Sequence, residues 1–130
     1  MKRDIPLAEA LRPQTLEKFF GQEQLRARID ALQKADRLPS MLFFGPPGCG
    51  KSTLAMLLAA RSGRKFLRLS APEAGLAQLR RSLAGVEVLV LDELHRFSKA
   101  QQDFFLPLLE SGELTLLATT TENPSFSVPR

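Results

Sequence analysis

Residues 45–52 read Gly45-Pro46-Pro47-Gly48-Cys49-Gly50-Lys51-Ser52. This run satisfies the pattern G-x-x-x-x-G-K-[ST], and it stands between a short apolar stretch and a helical pattern, the context that marks a phosphate-binding loop. Its glycines let backbone amides curl around an anion, and the helix that follows adds a positive dipole end. We predict that Lys51 binds the β- and γ-phosphates and that Ser52 ligates Mg²⁺, with Thr53 completing the nucleotide site.

The size and composition are those of one globular domain. The chain has 130 residues, of which 44% are hydrophobic and 25% are charged. Its single cysteine, Cys49, excludes a disulfide framework and a multi-cysteine zinc site. The longest apolar run, residues 54–60, is far too short to cross a bilayer. We therefore expect a soluble, cytoplasmic protein without a membrane partner.

Charge is distributed unevenly along the chain, whose formal net charge is +4. Residues 1–70 hold 13 Lys and Arg against 6 Asp and Glu, whereas residues 71–130 hold 5 against 8. A basic half favours a phosphate-rich partner, either a nucleotide or a nucleic acid. The alternative is a solvated surface with an accidental bias, which is also the simplest interpretation of Arg61, Arg64, Lys65 and Arg68.

The chain alternates strand patterns with helical patterns. Strands are predicted at residues 41–44, 65–69, 86–91 and 114–119, and helices at residues 52–62, 73–84 and 98–110. This alternation predicts an α/β fold with a mainly parallel sheet of about four strands and helices on both faces. Pro107 is expected to kink or end the last helix, because proline lacks an amide proton.

The residues before the first strand form a separate predicted segment. Leu25, Ile29 and Leu32 share one helical face, and Pro39 ends that helix. We therefore divide the chain into an amino-terminal linker and helix, residues 1–40, and a P-loop core, residues 41–130.

Two carboxylates follow the third predicted strand. Asp92 and Glu93 come directly after the apolar run 88–91, so a buried strand would hold them beside the phosphate loop. We predict that Asp92 holds Mg²⁺, directly or through water, and that Glu93 orients and deprotonates an attacking water. Two acids favour hydrolysis over transfer to a bound acceptor, which disfavours a P-loop kinase.

The fourth strand leads to a further polar side chain. Asn123 follows Thr119-Thr120-Thr121 by two residues and can either hydrogen-bond the γ-phosphate or attacking water, or form an Asx turn with Pro124. Spacing alone does not decide between the two. His95 has no histidine or cysteine companion near it, so we expect it to cap or bridge polar groups near the site.

The order of these motifs resembles that of the AAA+ ATPases. The segment that resembles the adenine-wrapping part of this class reads Leu11-Arg12-Pro13-Gln14-Thr15-Leu16 and leads to Gly21-Gln22. Two further segments are similar to the RarA/MgsA branch, replication-associated recombination protein A. They read Asp92-Glu93-Leu94-His95-Arg96-Phe97-Ser98-Lys99-Ala100-Gln101-Gln102-Asp103 and Thr119-Thr120-Thr121-Glu122-Asn123-Pro124-Ser125-Phe126. They favour this branch over a RuvB-like or clamp-loader-like ATPase.

The resemblance implies an ATPase that uses ATP and Mg²⁺ and that acts at stalled replication forks and in recombination. It implies an oligomer on the nucleoid, working on DNA with single-stranded regions or ends, with single-stranded-DNA-binding protein as a partner. It also assigns Asn123 the sensor-1 role. The catalytic residues that we predict on this basis are Lys51, Glu93 and Asn123.

The resemblance covers only the first part of a family member. Family members are about three times as long, and their fifth strand, helical lid and arginine finger follow the part that resembles this chain. A sheet without that strand is expected to expose an edge. Two alternatives therefore stay open: a non-catalytic module that binds nucleotide and DNA, and an inactive fragment.

Overall fold

The computed structural model describes residues 11–15, 38–48, 50–70 and 75–121. They contain one parallel five-stranded sheet with the strand order β1-β2-β5-β4-β3. The strands are β1 (Arg12–Thr15), β2 (Met41–Phe44), β3 (Phe66–Leu69), β4 (Val88–Leu91) and β5 (Thr115–Thr120). The helices are α1 (Lys51–Arg61), α2 (Leu76–Ser82) and α3 (Lys99–Ser111), with a short 3₁₀ helix at Leu94–Arg96. The α/β fold predicted from the sequence is confirmed.

Alternate residues of the central strands supply two separate cores. One core joins α1 to the sheet through residues such as Leu54, Leu58, Val90 and Leu117. The other core lies on the opposite face, under α2 and α3, and its buried residues include Leu79, Leu89, Phe105 and Leu116. Because β4 and β5 are buried on both faces, they read as nearly continuous apolar runs, which is how parallel strands are recognised.

The four predicted strands and three predicted helices lie within about three residues of their observed bounds, but Pro107 does not end α3. That helix starts with a capping box between Ser98 and Gln101 and continues to Ser111, with Pro107 inside it. The missing amide of Pro107 would have bonded to the carbonyl of Asp103. Both residues are exposed, so water can satisfy that carbonyl and the helix can continue.

Strand β1 was not predicted. It lies in the segment that the sequence analysis assigned to a linker and pairs in parallel with β2, from Arg12 opposite Met41 to Thr15 opposite Phe44. Within the described residues, the outer strands of the sheet are therefore β1 and β3, and the edge of β2 is covered. The predicted helix with Leu25, Ile29 and Leu32, and the pair Gly21-Gln22, lie outside the described residues. Neither the adenine-wrapping role nor the division at residue 40 is tested, and both stay predictions.

No helix in the described part of the chain is long and apolar enough to span a membrane.

Candidate functional site

The phosphate loop connects β2 to α1 at the carboxyl edge of the sheet. The amide of Gly45 donates to the carbonyl of Thr120 at 3.3 Å, which ties the start of the loop to β5. Gly48 and Gly50 have φ values of 81° and 91°, a left-handed conformation that favours glycine. A Cβ atom on either residue would meet nothing within 4 Å, so the backbone conformation and not lack of space requires glycine there.

Lys51 is the first residue of α1 and is held inside the loop. It is only 7% exposed, although lysine is rarely buried. Its Nζ donates to the carbonyl of Pro46 at 3.2 Å, so the ammonium lies over the turn of the loop. The ammonium group thus stands beside the backbone that would surround a phosphate. Pro46, Pro47, Gly48 and Gly50 are exposed, which leaves the loop open to a ligand.

Asp92, at the end of β4, joins the phosphate loop to the two neighbouring strands, β3 and β5. Its Oδ1 accepts from Ser52 Oγ at 3.1 Å and from Thr119 Oγ1 at 3.4 Å. Its Oδ2 accepts from Arg68, which contacts it through Nε and Nη2. The amide of Asp92 donates to the carbonyl of Leu69 at 2.9 Å. The side chain of Asp92 is only 6% exposed, and both oxygens of its carboxylate have a donor.

Strand register explains why these side chains meet. Arg68 lies opposite Val90 and Val90 lies opposite Leu117, so all three point to the α1 face of the sheet. Asp92 and Thr119 follow Val90 and Leu117 by two residues each and therefore keep the same face. We call Ser52, Arg68, Asp92 and Thr119 the polar cluster.

Glu93 has an unusual backbone at the turn after β4. Its φ is 55°, a left-handed backbone conformation that residues other than glycine rarely adopt. Such strain often occurs at functional sites. The amide of Glu93 donates to Thr119 Oγ1 at 3.0 Å, and its Oε2 lies 3.4 Å from Nε of Arg96. Side chains of this pair are 41% and 59% exposed, so the carboxylate of Glu93 is open to solvent.

His95 lies in the 3₁₀ helix that follows Glu93. Its Nδ1 is 3.0 Å from Thr120 Oγ1, which confirms the expectation that it bridges polar groups near the site. The carbonyl of Thr120 also accepts from the amide of Gly45. Thr120, in β5, therefore contacts both the 3₁₀ helix and the phosphate loop.

The oxygens of Ser52 and Asp92 fit a magnesium ion shared with a nucleotide. Mg²⁺ prefers oxygen ligands, and in phosphate sites it is held by one or two protein groups together with phosphates and water. In the described parts of the chain, no group of three or more His, Cys, Asp or Glu residues could hold a metal. The donor set therefore matches Mg²⁺ brought with a nucleotide better than an all-protein metal cage.

The structure brings most of the predicted site residues together, but two lie outside the described residues, namely Cys49 and Asn123. Thr53 is exposed on α1. Two residues of the polar cluster were not predicted: Arg68, which was interpreted as solvated surface, and Thr119. Both lie two residues or fewer from a strand's carboxyl end, which is the one signal that the sequence offered.

A parallel sheet whose carboxyl edge joins a G-x-x-x-x-G-K-S loop to a buried aspartate is typical of the P-loop nucleotide-binding proteins. The family described as the Holliday junction DNA helicase RuvB P-loop domain matches residues 11–127. The chain belongs to this family.

Three individual proteins show what this chain is similar to within this class. Replication-associated recombination protein A of Haemophilus influenzae is 41% identical, over 95% of this chain and 30% of that protein. ATPase WRNIP1 of Dictyostelium discoideum is 39% identical, over 98% of this chain and 16% of that protein. A solved structure of the Thermotoga maritima RuvB Holliday junction branch migration motor superposes with a TM-score of 0.66 at 28% identity, over 89% of this chain and 45% of that chain.

These relatives confirm the resemblance to the replication-associated recombination protein A branch. They support a nucleotide-binding ATPase module of a kind associated with replication and recombination. The chain spans about 30% of the length of the Haemophilus relative that it matches.

Proposed function

We propose that this chain binds ATP with Mg²⁺ at the phosphate loop and hydrolyses it, as the motor module of a factor that maintains replication forks. The observation that carries the proposal is the hydrogen bond between Ser52 and Asp92, which lie 40 residues apart in the chain. It joins the loop that would bind phosphate to the strand end that would hold the metal.

Each site residue has a distinct proposed role. Lys51 and the loop amides bind the phosphates, with Gly45, Gly48 and Gly50 shaping the backbone. Ser52 and Asp92 hold Mg²⁺, which supplies charge neutralisation at the phosphates when bound.

Glu93 orients the attacking water and accepts its proton, because its carboxylate is solvent-accessible and its backbone is held by Thr119. Asn123, by resemblance, positions that water.

Thermal unfolding with and without Mg-ATP tests the nucleotide site. Binding to the folded state alone stabilises it by about 2.7 kcal/mol at a ligand concentration 100 times the dissociation constant. We expect the midpoint of wild type to rise and the midpoint of Lys51→Ala to stay unchanged. Arg61→Ala is the matched control, since Arg61 is exposed at the far end of the same helix and its midpoint should rise as that of wild type does. An equal rise in wild type and Lys51→Ala would refute the site.

The DNA on which this module is proposed to act has single-stranded regions or ends. This proposal is supported by the names of the relatives, which refer to recombination and to Holliday junctions. An oligomeric state, a single-stranded-DNA-binding protein as partner and a location on the nucleoid belong to the same proposal.

A non-catalytic module that binds nucleotide and DNA is the second candidate. Arg61 is exposed at the end of α1, Lys65 is exposed just before β3, and Arg80 and Arg81 are exposed on α2, so this part of the described surface carries positive charge. Affinity for single-stranded DNA should fall steeply with salt if phosphates are contacted. DNA binding without ATP turnover would favour this candidate, and turnover stimulated by DNA would favour the motor.

A further inference from the structure

Arg68 is placed to act on the proposed metal site from the neighbouring strand. It contacts Oδ2 of Asp92 through two of its nitrogens, while Oδ1 faces Ser52 and Thr119. The two partners differ in burial: the side chain of Asp92 is 6% exposed and that of Arg68 is 50% exposed. A buried carboxylate therefore receives its counter-ion from a side chain that reaches in from the solvent.

This asymmetry has a physical consequence. A buried carboxylate without a partner is strongly destabilising, so Asp92 requires a cation while the site holds no metal. The guanidinium of Arg68 can withdraw at small cost, because half of its side chain is already in water. Mg²⁺ at Asp92 supplies positive charge to the same carboxylate, and two cations beside one carboxylate repel each other.

We propose that Arg68 is a positioning residue that serves as the counter-ion of Asp92 in the nucleotide-free chain and weakens Mg²⁺ binding there. The inference rests on the proposed function, because it assumes that Asp92 belongs to a Mg-nucleotide site. Arg68 keeps the carboxylate aimed at Ser52 between nucleotide cycles, and it opposes tight retention of the metal.

Calorimetric titration of Mg²⁺ at saturating ADP tests this inference without any measurement of turnover. Arg68→Gln removes the competing charge, so we expect its Mg²⁺ affinity to rise about threefold to tenfold at low salt. We expect the difference from wild type to shrink at high salt, because salt screens charges that are partly exposed. Arg68→Lys keeps the charge but not the two-nitrogen contact, so its affinity should lie between those of Arg68→Gln and wild type.

Arg64→Gln is the charge-matched control. Arg64 lies four residues earlier, before β3 begins, and it is not among the described partners of Asp92. Its Mg²⁺ affinity should equal that of wild type. If Arg68→Gln fails to fold, Arg68→Lys carries the test with the same expected direction.

The outcomes separate the two proposals. Mg²⁺ affinity that is unchanged or weaker in the Arg68 variants overturns the inference while leaving the nucleotide site intact. Equal gains in Arg68→Gln and Arg64→Gln also overturn it, because they would reflect net charge alone. If wild-type protein shows no Mg²⁺-dependent ADP binding, the proposed function fails and the inference falls with it.

Discussion

The two faces of the sheet are formed by alternate residues of the same strands, but they differ in the residues that follow at the carboxyl ends of β4 and β5. On the α1 face, the apolar residues Val90 and Leu117 give way within two positions to Asp92 and Thr119. On the α3 face, Leu91 and Ala118 continue an apolar core that reaches Phe97 and Phe105. The α1 face therefore carries the buried ion pair, whereas the α3 face is mainly apolar, with the contact between His95 and Thr120 at its carboxyl edge.

The difference shows how a small sheet can hold a buried charge. Asp92 is surrounded by donors from α1, β3 and β5, which satisfy both of its oxygens. The α3 face holds no such buried ion pair among the described residues, and its aromatic rings pack edge to face, with the ring centroid of Phe105 6.1 Å from that of Phe97 and 5.3 Å from that of Phe104. We therefore expect changes on the α1 face to alter ligand binding and chemistry, and changes on the α3 face to alter stability.

The largest expected effect is on turnover, in the variant Glu93→Gln. The amide keeps the size of the side chain but cannot accept a proton, so phosphate release should fall about 100-fold to 10,000-fold. The melting midpoint should hardly move, because the ion pair with Arg96 is exposed. Turnover equal to that of wild type would remove Glu93 from the proposed chemistry and break the contrast between the faces.

Phe105→Ala makes the matching change on the apolar face. Phe105 is 0% exposed, so its truncation should lower the free energy of unfolding by about 3–5 kcal/mol. Nucleotide affinity, measured well below the unfolding transition, should stay that of wild type. Phe105→Leu, with an expected loss of about 1 kcal/mol, provides the same comparison if the alanine variant does not fold. A selective loss of affinity in the leucine variant would show that the two faces are coupled.

Thr119→Val is the smallest change and tests the polar cluster alone. Valine keeps the shape but removes the oxygen that accepts from the Glu93 amide, which should cost about 1–3 kcal/mol in unfolding free energy. Because Asp92 and Glu93 lose a common anchor, Mg-nucleotide affinity should also fall.

Thr115→Val is the matched control for that variant. Thr115 lies on the same strand and face, at the amino end, where it donates to the Leu38 carbonyl at 3.4 Å. We expect it to lower stability without changing nucleotide affinity. Equal affinity losses in both variants would mean that β5 as a whole, and not the polar cluster, controls binding.

Much of the fold could be predicted because its signals are local. The apolar runs that became β2, β4 and β5 are bounded by turn residues, and the loop pattern at 45–52 lies where a strand meets a helix. Strand β1 was missed because Arg12–Thr15 has no apolar alternation, and it is a strand only because β2 offers a neighbouring edge. The continuation of α3 past Pro107 depended on solvent exposure at Asp103, which no local pattern reports.

For the site, residue types alone identified Lys51, Ser52, Asp92 and Glu93 as candidates, because phosphate and Mg²⁺ chemistry requires an ammonium, a hydroxyl and carboxylates at strand and helix ends. Their assembly, and the addition of Arg68 and Thr119, depended on the register of β3, β4 and β5. Pairing between distant strands is set by the packing of the whole sheet, so a side chain that looks solvated in the sequence can become the counter-ion of a buried acid.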